Sequence, residues 1–155
     1  MRRFALAITL CLAAGATAQA DEGEATAFAQ AFCGLRDLED GAGRIHLASP
    51  ALAEAVTAAL AARTGGAADG GPLADGVPWQ SVAARAPQCA AGAVSAEDGT
   101  TVVEVRYAFP DASGEDWVDR LVLVRHDGAL VVDDVRYGAT GDADTLRGRL
   151  AAGGS

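Results

Sequence analysis

The chain has 155 residues, a length that suits one compact domain and is too short for a two-domain enzyme. Half of the residues are hydrophobic but only 5% are aromatic, because 37 positions are alanine and 19 are glycine. All 12 basic residues are arginines, set against 21 acidic ones, for a formal net charge of −9. The absence of lysine excludes Schiff-base and lysine-nucleophile chemistry, and a surface this acidic argues against nucleic acid and anionic lipid as partners.

Met1-Arg2-Arg3, an apolar run from Phe4 to Ala14 and small residues ending Ala18-Gln19-Ala20 have the three-part layout of a secretory signal. The run is roughly half the length that a membrane span requires. The expectation is a leader over residues 1–20, cleaved after Ala20, followed by one domain over residues 21–155 with a core of about 24–150. Leu10 before Cys11 does not suit a lipid anchor, so a periplasmic protein without a stable membrane anchor is expected. Loss of Arg2 and Arg3 with the leader takes the net charge from −9 to −11.

Cys33 and Cys89 then remain, an even number in an oxidising compartment, which points to a disulfide. Closing that loop is worth about 4 kcal/mol in the chain-entropy model, useful to a core rich in alanine and glycine. The rival reading, a reactive thiol, lacks a C-x-x-C motif and a histidine beside either cysteine.

Phe28, Phe32 and Leu35 recur at helical spacing and predict a first helix over about residues 24–38, with Gly41 as its stop. Ser49 can cap a second helix with Pro50 at its first position; Leu52, Val56 and Leu60 form its stripe and Thr64-Gly65-Gly66 its end. His46, alone before that cap, reads as a surface or capping residue. Residues 65–78 form a loop rich in glycine and proline, anchored by Trp79, in which Asp69 and Asp75 do not match calcium-loop spacing. Trp79 to Ala84 is expected to make a short helical turn.

After Cys89 the period becomes strand-like. Val94 lies in a short strand ending at Glu97-Asp98-Gly99, and Thr101 to Phe109 alternates with Val103, Val105, Tyr107 and Phe109 on one side. Trp117 to His126, the Asp127-Gly128 turn and Ala129 to Tyr137 form a hairpin. An unbroken two-residue register sets Leu123 opposite Val132, Leu121 opposite Asp134 and Asp119 opposite Arg136. Val118, Arg120, Val122 and Val124 then share a face with Val131, Asp133, Val135 and Tyr137. Neither face is cleanly polar, so the sheet should be covered on both sides or enclose a partly polar cavity. Asp142 or Asp144 caps a last helix carrying Leu146 and Leu150.

The expected fold class is α+β: amino-terminal helices packed on a curved antiparallel sheet of about four strands, with a short carboxy-terminal helix. Leu47-Ala48-Ser49-Pro50-Ala51-Leu52, Asp75-Gly76-Val77-Pro78-Trp79, and Leu130-Val131-Val132-Asp133-Asp134-Val135 with Leu146-Arg147 resemble a family of small exported bacterial proteins named only as a domain of unknown function. That family is similar to the nuclear-transport-factor-two-like, or cystatin-like, superfamily. The resemblance implies a cone of helices packed into a bent sheet, sometimes with a pocket between them, and no settled activity. Many relatives carry tryptophan where Leu130 stands.

Asp133-Asp134 is the most tempting pair for chemistry. Neighbours in a strand point to opposite faces, so the two carboxylates cannot act as a dyad without a bulge. Asp133 then lies diagonally from Arg120, as a half-buried ion pair; the sharper alternative groups Tyr107, Arg120 and Asp133 in a ligand pocket. His46 and His126 lie far apart and no metal site is expected, nor any cofactor, since nucleophile elbows, phosphate loops and dinucleotide fingerprints are absent. With no catalytic motif and no catalytic residue assigned, three functions remain: a non-catalytic periplasmic binding or accessory module for a small molecule, an inhibitor or immunity-type module for a cationic protein, and a small isomerase- or dehydratase-like enzyme.

Overall fold

In a computed structural model the described residues are 20–35, 39–64, 77–141 and 143–152. The leader before Ala20, the loop over 65–76 with the Gly65-Gly66 stop, and Asp142 lie outside them.

Helix α1 spans Glu22–Gly34, opened by Asp21, whose side chain accepts from the Glu24 amide at 2.7 Å. It buries Ala25, Ala29 and Phe32 and ends at Leu35, before the expected Leu38. Gly41 is not a helix stop: it lies inside a 3-10 helix over Glu39–Leu47. Arg44 of that helix is buried, its guanidinium 4.1 Å from the centre of the Phe32 ring. Helix α2, Pro50–Thr64, starts as expected, with Ser49 Oγ accepting from the Leu52 amide at 3.2 Å and Leu52 and Val56 buried.

Residues 79–84 do not form the expected helical turn. Gln80 Nε2 donates to the carbonyls of Val82 and Ala84 at 2.7 and 3.1 Å, occupying acceptors in a way that competes with helical pairing. Trp79 does anchor the segment: only 2% exposed, it meets Phe32 edge-on with centroids 6.3 Å apart.

The sheet is one antiparallel meander, β1 (Gln88–Glu97), β2 (Thr100–Ala108), β3 (Trp117–His126) and β4 (Ala129–Arg136), neighbouring in that order. Strand β1 is longer than the one expected around Val94 and has a bulge between Ala91 and Val94. The turns Asp98-Gly99 and Asp127-Gly128 have positive φ at both residues, 48° and 80°, then 50° and 83°, the geometry that joins right-twisted strands through two residues.

The β3–β4 register follows its turn only as far as Leu123↔Val132. A bulge at Asp133 then shifts it, so Val122 faces Asp134, Leu121 faces Val135 and Arg120 faces Arg136. This overturns the uninterrupted pairing expected from the turn. The extra residue carries Val135 and Tyr137 to the face of Leu121 and Leu123, where all four are buried, and leaves Arg136 on the face of Arg120.

The helices cover the first of these faces. Phe32, Leu52, Trp79, Tyr107, Leu121 and Tyr137 belong to one contiguous cluster that fills the helix–sheet interface. On the other face Val102 and Val122 are also buried, outside that cluster, and an ion pair between Glu97 of β1 and Arg136 of β4 joins the two edge strands. The Cys33–Cys89 disulfide ties α1 to β1 with Cα atoms 5.6 Å apart. The edge of β4 is covered: Ala48 pairs parallel with Val132, and Thr145 pairs antiparallel with Arg136. Helix α3, Leu146–Ala152, is capped by Thr145, whose Oγ1 accepts from Gly148 N at 3.1 Å, while Asp144 pairs with Arg149 at 2.8 Å. Among the described residues no helix is long and apolar enough to cross a membrane. The fold is α+β, as the residue pattern indicated.

Candidate functional site

Tyr107, Arg120 and Asp133 are not brought together. Tyr107 lies on the helix face, 1% exposed, stacked on Trp117 with ring centroids 4.7 Å apart. Arg120 lies on the opposite face between Glu104 and Arg136. Asp133 sits on the bulge and does not pair with Arg120 as expected. Its Oδ1 accepts from Arg147 Nη2 at 2.6 Å and from Ser49 Oγ at 2.8 Å, because the added residue turns it towards the start of α2 and of α3.

Arg147 ties this corner in four ways: Nε donates to the Asp133 carbonyl, its backbone N–H to Asp134 Oδ1, and Nη2 both to Asp133 Oδ1 and, at 3.4 Å, to Ser49 Oγ. The bulge thus aims both carboxylates at one arginine, which holds them as acceptors and not as a proton-sharing dyad. Ser49 serves at once as cap of α2 and donor to Asp133. Three of the four segments that carry the family resemblance therefore meet in one knot, and Pro78 of the fourth accepts from the Tyr137 hydroxyl. Those motifs build the fold.

Asp119 was missed by sequence reasoning. It is fully buried and accepts from Ser81 N at 2.8 Å, Gly138 N at 3.1 Å and Trp117 Nε1 at 3.2 Å. Its signal was its phase: a lone acid among Trp117, Leu121 and Leu123 on the apolar face. Three N–H donors satisfy a carboxylate that no ion pair among the described residues reaches. The register sets Asp119 two pairs along from Tyr107, on the same face, but with both side chains buried they are components of the core. Gly138 must be glycine here, because a Cβ would lie 1.8 Å from the Val118 carbonyl oxygen.

Above Asp119 the surface opens into a groove of about 920 Å³. The loops 109–116 and 138–141 form two walls, with Val82 and Ala84 alongside, and Trp117, Val118 and Arg120 form the floor. Phe109 tilts against Trp117 with centroids 6.2 Å apart. Asp116 fixes the wall by accepting from the Phe109 amide at 2.8 Å, and exposed Glu115 stands beside it. The groove joins an aromatic patch, two rim carboxylates and one arginine. Neither histidine lines it: His126 lies at the far end of β3 and His46 in the 3-10 helix. Among the described residues no cluster of histidine, cysteine and carboxylate has the arrangement of a metal site. Comparison with protein-family models, characterised proteins and solved structures finds no match.

Proposed function

We propose that the chain is an exported periplasmic binding module, belonging to the family its motifs resemble, whose ligand occupies the groove above Asp119. The observation that carries this reading is the groove's composition: Trp117 and Phe109 offer apolar contact, and Glu115 and Asp116 supply negative charge at its mouth. The helix–sheet interface, where an interior pocket would lie, is filled by Trp79, Tyr107 and Tyr137. The ligand is then a small molecule with an apolar ring or chain and a cationic or hydrogen-bond-donating group, drawn in by the acidic surface. Export follows from the leader-like residues 1–20 and agrees with the oxidised Cys33–Cys89 pair.

Thermal-shift screening with organic amines and matched carboxylates tests it. A ligand at a hundred times its Kd stabilises by about 2.7 kcal/mol, a clear shift in melting temperature. Amines that stabilise the protein, and lose that effect in Glu115→Gln, support the groove; uniform failure of both series overturns it. The same rim suits a basic protein, which would show as salt-sensitive capture lost in the same variant.

A further inference from the structure

We infer that β1 is a pairing edge for a second copy of this chain, so that two meanders join into one continuous sheet. This inference is independent of the groove. Edge strands in soluble proteins are guarded by charge or by a bulge, and β1 has only the bulge between Ala91 and Val94. Strand β2 carries Glu104 and Arg106, β3 carries Asp119, Arg120 and Arg125, and β4 carries Asp133, Asp134 and Arg136. From Gln88 to Ala96, β1 carries no charge at all, and none of its residues is buried. The opposite edge, by contrast, is closed by Ala48 and Thr145.

The backbone has groups to offer. The two-residue turn makes Glu97 and Thr100 a hydrogen-bonded pair, so the N–H and C=O of Ala96 point away from β2. The bulge spends the Ala93 amide on Glu104 Oε2 at 3.3 Å and leaves those outward groups untouched. A second copy is the occupant because the strand's flanks are self-complementary. Arg85 precedes β1 and Asp98 follows it, both exposed. Antiparallel pairing about Gly92 and Ala93 brings Arg85 of one copy diagonally beside Asp98 of the other, twice per dimer, with the uncharged stretch between them.

Sedimentation equilibrium of the purified protein tests this. A monomer–dimer equilibrium is expected. Ala96→Pro removes an outward N–H without touching the β1–β2 ladder and should weaken the dimer. Arg85→Asp or Asp98→Arg alone should weaken it about tenfold, and the double swap should restore it. The swaps lie outside the strand, so they report even if the proline perturbs folding. A protein that stays monomeric up to its solubility limit overturns the inference. So does a dimer that none of these substitutions weakens.

Discussion

Asp119 on β3 and Asp133 on β4 each hold a corner of the fold by accepting several hydrogen bonds, and their surroundings differ sharply. Asp119 is completely buried and is satisfied by two backbone amides and an indole. Asp133 is about a third exposed and is satisfied by a guanidinium that is itself about a third exposed and by the buried hydroxyl of Ser49. The Asp119 carboxylate has no solvent to turn to, whereas that of Asp133, and the Arg147 guanidinium beside it, can be solvated. Burial of the carboxylate, more than the number of bonds, sets what each aspartate contributes.

The largest effect should come from Asp119→Ala. Losing the three hydrogen bonds that the buried carboxylate accepts costs about 3 kcal/mol or more, read as a lower urea midpoint, with the 79–87 and 138–141 segments losing hydrogen-exchange protection first. Gly138→Ala should be of similar severity, since the Val118 carbonyl must move. A smaller loss, about 1 kcal/mol, is expected for Ser49→Ala, which removes the cap of α2 and one donor to Asp133. The two corners share no hydrogen-bonding partner, so Asp119→Ala and Ser49→Ala should add; a coupling above about 0.5 kcal/mol would join them into one unit.

Alkaline pH approaches the Asp119 corner from another side. Burial holds the Tyr137 phenol protonated well above its ordinary range near 10. The unfolded chain releases that proton first, so the folded state binds more protons above pH 10. Stability is intact below that pH and falls as pH rises further. Tyr137→Phe should flatten the alkaline limb in denaturation measured against pH. At the acid end, guanidinium partners hold Glu97, Glu104 and Asp144 below their usual range, so stability present above pH 4.5 declines as pH falls through their lowered values. The smallest expected change is Ala112→Gly in the loop between β2 and β3. Ala112 has φ 55°, which glycine adopts freely, so a gain of a few tenths of a kcal/mol should appear as a slightly raised melting temperature.

Local signals carried the hairpin turn and part of the buried pattern: Asp127-Gly128 fixed the turn, and alternation put Val103, Val105 and Tyr107 of β2 on the buried helix face, while the burial of Thr101 and Val102 was not legible. The second helix was equally legible, because Ser49 and Pro50 act within one turn of themselves. The Asp133 bulge was not, since no residue type demands it; it forms where Ser49 and Arg147, 84 and 14 residues away in sequence, compete for the carboxylate. The 79–84 segment failed for the same reason, its acceptors being taken by Gln80 and one amide by Asp119. The candidate site was the least legible part. Of its three expected residues only Arg120 lines the groove, beside Trp117 and Phe109 drawn from the ends of two strands.

The residues alone determined the α+β class, the four strands and their turns, the capped second helix and the pairing of Cys33 with Cys89. Each rests on periodicity, on a dihedral preference within a few residues, or on a count of two. Tertiary structure alone decided which way Asp133 points, that Asp119 is fully buried beside the groove, and that Ala48 and Thr145 cover the β4 edge of the sheet. Those outcomes depend on segments far apart in the chain competing for the same hydrogen bonds, and short-range pattern carries no record of that competition.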